Sequence, residues 1–142
     1  MNSVFVDTSG WANAFDRRQP QHIVAVSAFQ QMRQNRDTII TSNYVIAELV
    51  ALLQSPLRIP RSQIFTTIDT IKTTPYLTII HIDAATDTAA WNLCKSRLDK
   101  AWSLVDCTSF ILMQQQGIQV ALTTDHHFEQ AGFIRLLNPS NS

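Results

Sequence analysis

Five short apolar runs alternate with longer stretches of helical period along this chain, and no other feature constrains its fold as strongly. The runs are 4–7 (VFVD), 38–41 (TIIT), 77–82 (LTIIHI), 120–124 (VALTT) and 133–137 (FIRLL). Between them lie 20–34, 42–54, 61–72, 83–98 and 103–116, each of helical length with apolar residues at steps of three and four. Strands that are apolar throughout need cover on both faces. The alternation therefore implies a central parallel sheet of about five strands in a three-layer α/β/α sandwich. Pro56 and Pro60 mark a turn between two helices, and Gly117 a helix stop. The 142 residues suit one domain, expected over 1–137, with 138–142 (NPSNS) as a loose tail. The start carries no basic leader, and no apolar stretch is long enough to span a bilayer, so a soluble cytoplasmic protein is expected. Cys94 and Cys107 lie in apolar helical contexts and read as reduced core residues.

Only 15% of the residues are charged, yet the apolar segment 102–113 (WSLVDCTSFILM) carries one carboxylate, Asp106, in its middle. An isolated buried carboxylate is costly unless it is hydrogen-bonded, paired or bound to a cation. Three other acids bear on this. Asp7 ends the first strand, Asp125 follows the fourth, and Glu48 lies a little over one turn into the helix after the second. Open parallel sheets bind ligands beyond the carboxyl ends of their strands, where the strand order reverses. Helical side chains lean toward their own N-terminus, so Glu48 and Asp106 point to that end of the sheet. All four acids meet if strands one and four are neighbours.

Helix capping explains Asp7, Asp125 or Asp106 equally well when each is taken alone, Ser103 and Asp106 having the spacing of a variant capping box. It does not explain Glu48, which is past the first turn with no Lys or Arg within helical reach. Converging acids without nearby cations repel and raise one another's pKa. Mg²⁺ or Mn²⁺, hard ions that favour oxygen ligands and retain waters, resolve that repulsion. Such a site activates water and steadies an in-line phosphoryl displacement. The hydroxyls of Ser9 and Thr124 stand beside the acids to orient those waters.

The segments VFVDTSGWANAF, TSNYVIAELVALL, WSLVDCTSFILMQQQGI and ALTTDHHFEQAGF resemble the PIN-domain ribonucleases, specifically VapC-type toxins of toxin–antitoxin pairs. The resemblance runs in order over nearly the whole chain. It implies a PIN-like α/β/α nuclease in which Asp7, Glu48, Asp106 and Asp125 hold one or two Mg²⁺ or Mn²⁺ ions, and in which Ser9 is the hydroxyl beside the first acid. It further implies cleavage of RNA, transfer RNA included; attack by a metal-activated water is the mechanism expected here, and it would leave a 5′-phosphate. A homodimer and a small VapB-like antitoxin are also implied; Ile64, Phe65, Ile68 and Ile71 are a candidate surface for the antitoxin, although helix–sheet packing accounts for most of them. Asp99 looks family-like but has no assignable role.

Other signals are weaker. His126 and His127 are adjacent and lack further ligands at zinc spacing, which favours a surface or supporting position over a metal site. Setting the four acids aside leaves eleven basic against seven acidic side chains. Arg17, Arg18, Arg58, Arg61, Lys95 and Lys100 are then candidates for phosphate contacts. The alternative is a PIN-like module that binds RNA or protein without cutting. A haloacid-dehalogenase-type phosphatase would need a second Asp where Ser9 stands, and a receiver domain a Lys after the last strand. A serine hydrolase would need a Gly-x-Ser-x-Gly elbow, which is missing.

Overall fold

The N-terminal strand lies at the centre of the sheet. In the computed structural model, which describes residues 2–139, the strands are β1 (Ser3–Val6), β2 (Thr38–Ser42), β3 (Leu77–Ile80), β4 (Val120–Leu122) and β5 (Ile134–Arg135). They are all parallel, in the order β3-β2-β1-β4-β5. β1 is in register with β2 through Val4↔Ile39 and with β4 through Phe5↔Ala121. Val4, Phe5 and Val6 are buried without alternation, as a strand covered on both faces requires.

The helices are α1 (Thr8–Phe15), α2 (His22–Asn35), α3 (Asn43–Gln54), α4 (Arg61–Lys72), α5 (Ala84–Ser96), α6 (Leu104–Gln116) and α7 (His127–Gln130). α1 to α4 pack as one group, and α5 to α7 as another. Right-handed crossovers place the groups on opposite faces, because β1 to β3 step one way across the sheet and the later strands the other. Local chemistry sets the helix ends. Ser42 caps α3 by accepting from Val45 N at 3.1 Å, and Asp83 caps α5 by accepting from Thr86 N at 2.8 Å. Gly117 closes α6 in the left-handed region at φ 67°.

The expected elements are present with shorter strands: Asp7, 81–82, 123–124, 133 and 136–137 fall outside them, although the Leu136 and Leu137 amides still donate to the Ala121 and Thr123 carbonyls. Two helices were not among the expected segments. α7 has four residues, too few for a periodic signal, and α1 follows β1 directly with a glycine inside it. Gly10 is there because α1 crosses close over β4; a Cβ at this position would overlap the Leu122 carbonyl oxygen. Leu137 is fully buried and Asn138 half-buried, so the chain is still packed where the loose tail was expected to begin. The last part of that tail, 140–142, lies outside the described residues. Among the described residues no helix is long and apolar enough to cross a membrane. Cys94 and Cys107 are free; burial pushes the Cys107 thiol up to about 12.

Candidate active site

β1 and β4 are neighbours, and the strand order reverses at them, so Asp7 and Asp125 emerge side by side at the carboxyl edge of the sheet. With Glu48 and Asp106 they line one open cleft of about 430 Å³.

Asp7 occupies the N-cap position of α1, but its side chain makes no capping hydrogen bond. It turns into the cleft instead. Oδ2 accepts from Thr123 Oγ1 at 3.0 Å, while Oδ1 is buried with no partner. The residue is 5% exposed. Burial raises its carboxyl to about 7, and the charges of Asp106 and Glu48 add to that rise against the Thr8 amide and the Thr123 hydroxyl.

Asp106 does two things at once. It completes the capping box of α6, its amide donating to Ser103 Oγ at 3.0 Å and its Oδ2 accepting from Ser103 N at 3.1 Å. The cap uses Oδ2, and among the described residues none donates to Oδ1. Burial raises this carboxyl as well, with Asp125 adding to the effect. Asp125 fastens the next turn by accepting from His127 N at 2.9 Å through Oδ1. Glu48 accepts from Thr8 Oγ1 at 2.5 Å across the cleft.

A buried hydroxyl ties the acids together, and it belongs to Thr123 rather than Thr124. Thr123 Oγ1 donates to Asp7 Oδ2 and accepts from Asp125 N at 3.0 Å. Its hydrogen being so used, Ser9 Oγ donates to it at 3.1 Å and accepts from Thr124 N at 2.9 Å. Thr124 lines the cleft and meets Ser9 through its backbone. Its carbonyl accepts from Arg135 NH1 at 2.7 Å, while Arg135 NH2 pairs with Glu129 at 2.8 Å. Nothing in the sequence distinguishes Thr123 from Thr124; which one faces Asp7 is set by where β4 stops pairing. Thr8 and Arg135 gave no signal either.

His126 precedes α7 and His127 begins it. Their rings are 4.6 Å apart. The His126 side chain is 65% exposed and His127 only 20%. His127 Nδ1 lies 3.0 Å from Asp106 Oδ2 and 3.3 Å from Asp125 Oδ1, so a proton on that nitrogen bridges the two carboxylates. Asp125, His126 and His127 bring ligand atoms within 4.8 Å of one another. Among the described residues, the cleft lining holds no Lys or Arg. A set of oxygen donors with one buried carboxylate oxygen unpartnered and another bonding face open suits a hard divalent cation.

Elsewhere, Asp99 is taken up by Arg97 through two 3.0 Å hydrogen bonds. Ile64, Ile68 and Ile71 are core residues; only Phe65, 51% exposed, faces outward.

The family described as PIN domain matches residues 4–134. The 23S rRNA-specific endonuclease VapC20 of Mycobacterium tuberculosis is 30% identical over 136 residues, spanning 94% of this chain and 97% of that protein. The crystal structure of M. tuberculosis VapC20, titled a Sarcin-Ricin loop cleaving toxin, superposes with a TM-score of 0.79 at 28% identity over 92% of this chain and 96% of that one. FitAcB from Neisseria gonorrhoeae shares the fold with a TM-score of 0.67 at 17% identity, over 98% of this chain and 99% of that one. VapBC2 from Rickettsia felis, bound to a DNA fragment from its promoter, shares it at 0.70 and 16%, over 94% and 96%.

Proposed function

Since this chain belongs to the PIN-domain family, in its VapC-type branch, we propose that it is a divalent-metal-dependent endoribonuclease and the toxin of a toxin–antitoxin pair. The observation that carries the site assignment is the bare Oδ1 of Asp7, buried among three further carboxylates. Asp7, Glu48, Asp106 and Asp125 are the residues that would hold Mg²⁺ or Mn²⁺ and do the chemistry. When bound, the ion supplies charge to an in-line phosphoryl displacement and acidifies a water. The protein's part is placement. Thr123 and Ser9 fix Asp7, the α6 cap fixes Asp106, and Thr8 fixes Glu48, so the donors are set before RNA arrives.

Likeness to VapC20 makes large-subunit ribosomal RNA the first substrate to test, with transfer RNA second. The candidate surface for an antitoxin segment is an apolar groove of about 270 Å³ between α1, α2 and α4, lined by Trp11, Phe15, Phe29 and Tyr76 among others. A homodimer, a cytoplasmic site of action and a single nuclease unit over 1–137 complete the reading.

The test is cleavage of purified ribosomal and transfer RNA in Mg²⁺, in Mn²⁺ and in EDTA, by the wild type and by Asp7→Asn, which removes no cap bond. Cutting should require the ion, vanish in Asp7→Asn, and leave 5′-phosphate ends. Products ending in 2′,3′-cyclic phosphate would identify the ribose hydroxyl as the nucleophile and refute the mechanism.

A further inference from the structure

A second polar pocket, of about 390 Å³, opens beyond the end of α1 and is lined by Asp16, Arg17, Arg18, Arg58, Gln63 and Thr67 among others. It holds three guanidinium groups against one carboxylate, and that carboxylate is already saturated. Asp16 is 6% exposed. It accepts from Arg18 Nε and NH2 at 3.0 Å, from the Arg18 amide at 3.0 Å and from Gln19 at 3.1 Å. The Arg18 guanidinium holds its carboxyl down at about 2. Arg18 is anchored further by donating to the Leu57 carbonyl at 2.8 Å, which ties the Arg58 loop to the end of α1. Arg17 and Arg58 are exposed and have no ion-pair partner among the described residues. Arg58 also takes φ 55°, a left-handed conformation that a long side chain adopts at some cost.

We propose that this pocket binds a backbone phosphate of the RNA on one flank of the scissile bond, an inference that rests on the endoribonuclease reading above. The four-acid cleft repels a polyanion and has no Lys or Arg of its own in its lining, so cations that retain the strand must stand outside it. The arginine pocket is suitably placed. Leu52 of α3 lines the cleft, and the next residue, Leu53, lines the pocket. α1 starts at the cleft with Thr8 and Ser9, and its eight residues span roughly 12 Å, the reach of a few nucleotides. Planar guanidinium forks match phosphate oxygens two by two, and Gln63 and Thr67 add neutral donors.

The experiment is anisotropy with a short fluorescein-labelled single-stranded RNA of mixed sequence, in Ca²⁺, over a salt series. The proteins are the full-length wild type, Arg17→Ala/Arg58→Ala and Arg17→Lys/Arg58→Lys. The alanine pair should bind more weakly, with a log-affinity against log-salt slope shallower by about 0.7, the value for one single-strand phosphate contact. The lysine pair should keep the slope. In cleavage assays the alanine pair should lose on KM more than on kcat. Unchanged affinity and slope in the alanine pair would overturn the proposal while leaving the nuclease reading intact. RNA binding that depends on both arginines, without cleavage by the wild type, would sink the nuclease reading and keep the pocket. Parallel titrations with inorganic phosphate and with a short polyglutamate peptide separate other sources of the same chemistry. If the alanine pair keeps its RNA affinity and loses only phosphate or only peptide, the pocket serves a free anion or a protein carboxylate, and the proposal fails.

Discussion

Asp7 keeps one oxygen held and the other bare, at a position where its charged form is disfavoured. The consequence for stability has a definite sign. Burial raises its folded-state carboxyl to about 7, whereas in the unfolded chain it has the ordinary carboxylate value of 3.8. Between those values the native state holds a proton that the unfolded state has released. The metal-free protein should therefore be most stable below about pH 4 on this account, and lose stability as pH rises toward 7. Urea midpoints in EDTA across that range should show the fall, and Asp7→Asn should flatten it and exceed the wild type at pH 8. A wild-type midpoint that rises through the window would rule out the assignment. At this scale two of the acids stand out in the sequence, Asp106 in an apolar run and Glu48 where no cap or ion pair accounts for it, whereas Asp7 and Asp125 read equally well as helix caps. The hydroxyl that organises the acids does not stand out, since neighbouring threonines differ only in which face the backbone gives them.

Helix α1 carries Thr8 and Ser9 into the cleft, so on the proposed reading its seating on the sheet bears on cleavage as well as on stability. Gly10 lets it approach β4, and a methyl there has the Leu122 carbonyl and Val6 Cγ1 in its way. Gly10→Ala should cost about 1–3 kcal/mol through overpacking. It should lower the urea midpoint without changing the m-value, and slow cleavage by displacing the α1 N-terminus. An unchanged midpoint would mean that the helix yields freely. The longer helices could be read from their length and apolar spacing, even α6, which buries Asp106 to Phe110 without a break. α1 could not: it is short, and Thr8, Gly10, Trp11, Ala12 and Asn13 are all buried, which erases the periodic contrast. The boundaries of β4 and β5 were hidden for a related reason, pairing with a distant strand being the only thing that ends them.

The whole molecule joins four carboxylates from distant parts of the chain, and in the absence of a cation their mutual repulsion opposes folding. Mg²⁺ or Mn²⁺ should raise the thermal midpoint, by the equivalent of about 2.7 kcal/mol at a hundredfold excess over Kd. Glu48→Gln should blunt that rise. Equal midpoints in EDTA and in metal would argue against resident ions. Sheet class and layering were legible at this scale from alternation alone; the arginine pocket was not, because it arises from loops that only the fold brings together.

The position of β1 also bears on biosynthesis. Of the described strands, the first to leave the ribosome is the one that ends at the middle of the sheet, and its partner β4 is encoded more than a hundred residues later. Until that partner emerges, Asp7 has neither Thr123 to hold it nor Asp125 beside it. A nascent or prematurely terminated chain thus carries three of the acids without the geometry that joins them. For a protein proposed to cut ribosomal RNA, the order of its strands postpones the hazard until β4 has been made and has paired with β1.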